Sequence, residues 1–264
     1  YLTDKAMKHM DLAREMELAD YQKMEQVRAR AESIVEDPDT AEALKPYYRQ
    51  FCKRPCFHDE YLPTFNRPNV ALVNTDGRGV DEITASGIVF DGQEYPVDCI
   101  VFATGFEVGT DYARRAGYQI HGVDGMSVSQ KWQDGLSTFH GMHSRGFPNS
   151  FFFGPAQSGF TATYTYSLDE QSVHLAHILS TAKAKGVTRL EASEAAEKQW
   201  VKTIIDKARL MADFQEKCTP GYYNNEGKVN TTPQNNTYGG GPIEFFDLLA
   251  KWRAKGGLKG LEVR

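Results

Sequence analysis

The 264-residue chain predicts a mixed α/β fold, and three observations carry that expectation. The run Ile100-Val-Phe-Ala103 follows an acidic residue and closes on Thr104-Gly105. It is too short for an isolated helix and lacks polar alternation, so it reads as a strand covered on both faces, as in parallel sheets. Phe151-Phe-Phe153, closed by Gly154-Pro155, repeats the pattern. Amphipathic helical periodicity toward both ends of the chain supplies layers to cover such strands. Gly105 lets another group approach the backbone at the strand's carboxyl end, where ligands sit in open α/β sheets.

The chain opens on Tyr1 inside a helical pattern, as expected of a portion of a longer polypeptide. Met10, Ala13, Met16, Met24, Val27, Ala31 and Ile34 recur mostly at three- and four-residue spacing, with charged residues between them. That pattern predicts one amphipathic helix, or two in tandem. Asp37-Pro38 predicts a cap and first helical position, with a short helix running to Leu44. From Tyr48 to Asn69 the chain is aromatic, proline-rich and aperiodic, the texture of a functional connection. Val70 to Val73 reads as a strand, and Gly87–Phe90 with Gln93–Tyr95 as a hairpin around Asp91-Gly92.

Beyond the glycine-punctuated stretch that ends near Phe147, Trp132 is the expected anchor. Helices are predicted from Thr161 to Lys185, stopped by Gly186, and from Ser193 to Lys217, before Pro220. Residues 219–242 read as loop, with Gly239-Gly-Gly-Pro242 as its breaker. A last helix over Ile243–Lys255 and a strand near Leu258–Val263 close the chain.

The composition is 41% hydrophobic and 25% charged, ordinary for a globular protein able to bury a core. A net charge of -5 gives no reason to expect nucleic acid or an anionic membrane as partner. No run approaches the ~18 apolar residues of a membrane span. Cys52, Cys56, Cys99 and Cys218 show neither zinc-site spacing nor a disulfide framework. These features together predict a reducing, cytoplasmic setting.

His140-x-x-His143 and His174-x-x-His177 lack the glutamate or cysteine company of a metal site, so no metal is expected. No Gly-x-Ser-x-Gly elbow is present. No glycine cluster follows a buried strand into a helix, so the chain carries no phosphate-cradling fingerprint. Lys53-Arg54 is the more informative pair. Pro55 fixes the backbone beside it, and Phe51, Phe57 and Tyr61 suggest partial burial, where a cation needs an anionic partner.

Five segments in register give these residues a context. Cys52-Lys-Arg-Pro55, Tyr61-Leu-Pro-Thr-Phe-Asn-Arg-Pro-Asn-Val70, Ala103-Thr-Gly-Phe106, Gly146-Phe-Pro-Asn149 and Gly154-Pro155 occur in the order seen in Baeyer–Villiger monooxygenases. The chain resembles the C-terminal half of that family, through the Trp200 helix to Gly260-Leu261. The family's two Gly-x-Gly-x-x-Gly fingerprints and its Phe-x-Gly-x-x-x-His signature are absent from this chain.

The resemblance implies the C-terminal half of a flavoprotein with two dinucleotide-binding domains. Residues 1–46 would be a helical segment from the end of the NADP domain or its linker. Residues 47–160 would be the C-terminal part of the FAD domain, with parallel strands and a hairpin. Residues 161–264 would hold C-terminal helices, a mobile loop and a closing strand. The missing N-terminal half of the same polypeptide would supply the nucleotide loops, so the chain alone is expected to be inactive.

The activity implied is FAD- and NADPH-dependent conversion of ketones to esters or lactones with molecular oxygen, through a flavin C4a-peroxide. A fixed cation is needed there, and arginine, which does not deprotonate, suits it. By resemblance Arg54 is that residue and Lys53 meets the NADPH phosphate. Thr104, Gly105, Gly154 and Pro155 lie against the flavin. The 156–166 loop, with Phe160, Thr163 and Tyr164, walls the substrate pocket. Tyr222 takes the place of a tryptophan that closes over the site. Two other readings stand beside this one. A flavin N- or S-oxygenating monooxygenase shares the Ala-Thr-Gly strand but does not need Arg54. A non-enzymatic helical interaction module would account for the missing glycine loops.

Overall fold

The computed structural model describes residues 12–106, 111–208, 212–229 and 231–264. The chain divides into two compact units, residues 1–106 with 217–227 and residues 107–216 with 228–264. Each follows from local signals and from a few long-range bonds.

In the first unit α1 spans Leu12–Ile34 and α2 spans Pro38–Ala43. Asp37 caps α2 by accepting from the Thr40 amide, with Pro38 at the first position, as the sequence predicts. Met24, Ala31 and Val35 are buried, whereas Met16 and Val27 are exposed, so the packing face is narrower than the periodicity suggests. Met10 lies outside the described residues. The end of α1 is closed by Asn66, which donates to Ile34 O at 2.7 Å and accepts from the Glu36 amide at 3.0 Å. Arg49 Nε and the Gln50 amide both donate to Asp20, at 2.6 and 2.9 Å, tying the aromatic connection to α1. A short α3, Tyr61–Thr64, follows.

The sheet of this unit is β1 (Glu82–Ile83), β2 (Gly87–Phe90) and β3 (Gln93–Pro96), antiparallel throughout. Phe90 pairs with Gln93, leaving Asp91 and Gly92 as a two-residue loop with φ of 50° and 75°. Positive φ at both central positions is the geometry that matches strand twist in a tight hairpin.

Three expected strands carry no ladder among the described residues: 70–73, 100–103 and 151–153. Val101 is 83% and Phe102 71% exposed, which overturns their reading as a strand buried on both faces within this chain. A strand is defined by its hydrogen-bonded ladder, and among the described residues these segments form none, although the Phe152 amide makes a bond to Met142 O at 2.9 Å. For the same reason the expected parallel strands are not found, and both sheets of the described residues are antiparallel.

In the second unit α4 (Tyr112–Ala116) is capped by Asp111 and ends at Gly117, φ 74°. α5 (Val128–Lys131) starts on a capping box between Ser127 and Gln130. Trp132 is the anchor expected: its indole donates to Ser137 O and Ser144 Oγ, and it packs with Val128, Phe147 and Phe152. α6 (Tyr164–Ala184) ends before Gly186, φ 67°. β4 (Leu190–Ala192) pairs antiparallel with β5 (Leu261–Val263). Between them run α7 (Glu194–Lys207), capped by Ser193, then α8 (Ala212–Glu216) and α9 (Pro242–Ala254). The single helix expected over Ser193–Lys217 is thus two, and residues 209–211 between them lie outside the described residues. Trp200, Ile204, Tyr238, Phe245, Phe246 and Leu249 form the main core, which holds α7 to α9. No described helix is long and apolar enough to cross a membrane.

Candidate active site

The site begins where the first unit's aromatic connection turns. Gln50–Cys52 forms one 3-10 turn, and Lys53 leaves it in extended geometry, φ -130° and ψ 164°. An extended residue points its side chain away from its neighbours'. Lys53 Nζ donates to Pro220 O at 2.6 Å and lies 5.6 Å from the Tyr48 ring centroid. The expected burial of the pair is not found for Arg54, which is exposed. The cause is plain: Phe57 is 91% exposed, and Phe51 and Tyr61 also face outward, so the aromatics form no cover over it.

Cys52 and Cys218 are joined by a disulfide across 166 residues of sequence, Cα to Cα 5.2 Å. This overturns the expectation that the cysteines form no disulfide. Pairing depends on Cα separation in the folded chain, which sequence spacing does not report. Cys56 and Cys99 are free and exposed.

The disulfide brings residues 218–227 beside Lys53-Arg54. Asn224, buried, is the centre of that loop. Its Oδ1 accepts from the Gly221 amide at 2.9 Å and the Gly227 amide at 3.1 Å, and its Nδ2 donates to Cys218 O and Thr219 O, both at 3.3 Å. Asn225 and Glu226 take left-handed φ of 51° and 55° to close the turn. No reading of the sequence above marks Asn224. The signal that could have found it is an asparagine between two glycines, since this side chain mimics a backbone turn.

Tyr222 is half-buried, with its ring centroid 4.4 Å from that of Tyr223. Burial pushes its phenol up to about 12, a hydrogen bond with Tyr223 adds to this, and the Arg54 charge pulls the other way. The phenol therefore stays protonated at neutral pH. Burial likewise raises Tyr48. Lys53, Arg54 and Tyr222, predicted from distant parts of the sequence, meet in one unit.

Thr104 and Gly105 belong to the same unit and are exposed. Gly105 has φ 100°, and a Cβ built there meets nothing within 4 Å. Within this chain the backbone angle is what calls for glycine at this position, and the backbone there is open.

In the second unit Gly154 and Pro155 form a half-buried turn. Gly154 O accepts from Ser158 Oγ at 2.6 Å and from Gln171 Nε2 at 3.0 Å, which fixes the turn to α6. Phe160 and Tyr164 come together, centroids 5.8 Å apart, and Thr163 caps α6 without a side-chain cap bond. The Tyr164 phenol is raised by burial and drawn down by the Arg115 charge.

The four histidines of the two H-x-x-H pairs converge in this unit, yet no group of three or more His, Cys, Asp or Glu among the described residues is placed to hold a metal. Burial instead keeps His143 and His174 neutral, lowered to about 4 and about 3.

No protein-family model matches the chain. Pentalenolactone D synthase of Streptomyces exfoliatus is 53% identical over 251 residues, which is 94% of this chain and 43% of that protein. Baeyer-Villiger monooxygenase ATR8 of Stachybotrys chlorohalonatus is 43% identical over 251 residues, 94% of this chain and 40% of that protein. Among solved structures, the polycyclic ketone monooxygenase of the fungus Thermothelomyces thermophila matches with a TM-score of 0.83 at 38% identity, covering 100% of this chain and 43% of the other. The chain thus spans about two fifths of the length of the curated relatives it matches.

Proposed function

Starting from this chain's homology to Baeyer–Villiger monooxygenases, which it matches over 94% of its own length, we propose that it serves an FAD- and NADPH-dependent monooxygenase that converts ketones to esters or lactones with molecular oxygen. The observation that carries the reading is the convergence of Lys53, Arg54 and Tyr222 within one unit. That convergence puts two cations and a protonated phenol together.

This donor set fits an anionic nucleotide. Among the described residues Lys53 is held by a carbonyl and an aromatic face and not by a carboxylate, so its charge remains to be neutralised. A nucleotide phosphate does that with a charge-assisted bond. Thr104 and Gly105, on open backbone, and the Gly154-Pro155 turn are the residues we assign to the flavin. When bound, the flavin supplies oxygen activation and the nicotinamide supplies hydride. Arg54 holds a permanent positive charge for the negative charge that develops on the ketone oxygen. Tyr222, neutral at working pH, offers an O–H donor and excludes water. Phe160, Thr163 and Tyr164 we assign to the ketone. The two glycine fingerprints belong, on this proposal, to an N-terminal portion of the same polypeptide. The segments 1–46, 47–160 and 161–264 would correspond to the family's layout. We assign the reaction to the cytoplasm, a compartment that supplies NADPH.

The test uses the full-length polypeptide. It should purify yellow, with flavin absorbance, and convert a cyclic ketone to a lactone at the expense of NADPH. Tyr222→Ala should raise NADPH oxidation that yields no ester, with Tyr223→Ala affecting it less. A colourless protein, or one that oxygenates amines or sulfides but no ketone, overturns the reading.

A further inference from the structure

Residues 217–227 part from their chain neighbours and belong to the unit that holds Lys53 and Arg54. An ion pair, a hydrogen bond and a disulfide are among the contacts that keep them there. Lys217 pairs with Glu17 at 3.2 Å, Pro220 O accepts from Lys53, and Cys218 is bonded to Cys52. The ion pair is solvent-screened and holds a loop only weakly. The Lys53 bond involves a long, rotatable side chain. Only the disulfide fixes the segment covalently. It also fixes a stiff body, because Asn224 ties residues 218 through 227 to one another.

We propose that the Cys52–Cys218 disulfide is a positioning element that locks the Tyr222 loop against Lys53 and Arg54, and that a dithiol reductant releases it. This rests on the function proposed above. The chemistry is thiol–disulfide exchange. A dithiol gives up two electrons and two protons and becomes a disulfide. The Cys52–Cys218 bond breaks, and both residues become thiols. Cys52 is buried and Cys218 half-buried, so the incoming thiolate attacks Cys218 and Cys52 leaves. In a reducing cytoplasm a disulfide is a reversible sensor more often than a permanent staple.

Release removes the Pro220 carbonyl that orients Lys53 and carries Tyr222 away from Arg54. NADPH binding and coupling therefore suffer, while Arg54 itself remains in place.

The experiment uses the full-length holoenzyme with Cys56→Ser and Cys99→Ser, which leaves only the pair among the four cysteines of this chain. Mass analysis of an unreduced digest reads the bond. Trypsin cleavage after Lys217 and Lys228 reads loop attachment. Initial rates at varied NADPH, with and without ketone, read binding and coupling. The expected result is a linked Cys52–Cys218 peptide and a protected loop before reduction. Dithiothreitol should expose both cleavage sites and raise the KM for NADPH roughly ten-fold, the scale of one lost hydrogen bond to a charged group. It should also increase uncoupled oxidation, and reoxidation should restore the starting values. Cys52→Ser/Cys218→Ser should match the reduced enzyme and ignore dithiothreitol. Free thiols at Cys52 and Cys218 in the unreduced protein overturn the proposal. So do unchanged KM and coupling on reduction, even with a lower melting temperature, since the bond would then be only a staple. A linked, protected loop in a protein that oxidises no ketone instead overturns the functional reading, separately from the disulfide's hold on the loop.

Discussion

His140 Nδ1 lies 3.2 Å from His174 Nε2, and both imidazoles are buried, His140 stacked on Phe139 and the pair meeting Trp200 and Trp252 edge-to-face. His143, His177 and Arg253 face the same cluster, so each proton added there meets other positive groups as well as apolar walls. Burial is the main cause of lowered basicity in all three of His140, His143 and His174.

The sign of the pH dependence follows. Above about 6.5 the imidazoles are neutral in both folded and unfolded chains. Below it the unfolded chain binds protons that the folded one refuses, so stability is lost as pH falls toward about 4 for His143 and about 3 for His174. Each such imidazole contributes a slope of about 1.4 kcal/mol per pH unit in that window. Urea denaturation between neutral and mildly acidic pH checks this. His174→Gln should flatten the slope, and an unchanged slope would assign the acid sensitivity elsewhere.

Glu197 should be the most sensitive carboxylate of the second unit. It is buried and accepts from Lys131 Nζ at 2.8 Å, Ser137 Oγ at 2.7 Å and the Arg145 amide. Glu197→Ala leaves all three donors without their acceptor and should cost about 2–4 kcal/mol. Glu197→Gln, which keeps one acceptor oxygen, should cost less. Equal denaturation midpoints for the two variants would mean that shape, and not hydrogen bonding, is what matters.

Gly239→Ala should destabilise by about 1–3 kcal/mol or more through overpacking. A Cβ there would sit 1.6 Å from Lys207 O, a backbone atom that cannot swing aside. Gly241, φ 87°, tests a different mechanism in the same tripeptide, because its constraint is the backbone angle. Calorimetry of both alanine variants checks the two constraints: each should lower the melting point, and a Gly239→Ala melting point equal to wild type refutes the clash.

If the proposed function holds, Arg54→Ala in the full-length polypeptide should spare flavin reduction by NADPH yet lower ester formation roughly a hundred- to a thousand-fold, the usual effect of deleting one electrostatic contact to developing charge. Stopped-flow reduction and product analysis read the two steps apart. Lys53→Ala should raise the KM for NADPH far more than for NADH, since only NADPH carries the extra phosphate. Near-normal ester formation by the first variant, or equal KM changes in the second, would return these cations to a structural role.

Features encoded within a few residues were legible in the sequence. Asp91-Gly92 specified the hairpin because both positions must take positive φ. Asp37-Pro38, Ser193 and Gly186 marked helix ends because a cap side chain, a fixed φ or a left-handed residue acts on its own turn. The adjacency of Lys53 and Arg54 was likewise plain, and so was the suitability of such cations for an anion.

Other features were decided only by the tertiary structure. Ile100–Ala103 reads as a buried strand, but burial and a ladder come from neighbours, and within the described chain the segment has neither. The Cys52–Cys218 bond spans 166 residues, and nothing in local spacing distinguishes it from the other possible pairings of four cysteines. Arg54 looked sheltered by aromatics that in fact point away from it. The physical reason is the same in each case. Torsional preferences act over one or two turns of chain, so the sequence alone marks those helix and hairpin ends that carry a cap, a proline or a left-handed residue, and misses the break after Lys207. Which of those pieces touch depends on packing summed over the whole unit, and it was packing that brought Tyr222 beside Arg54.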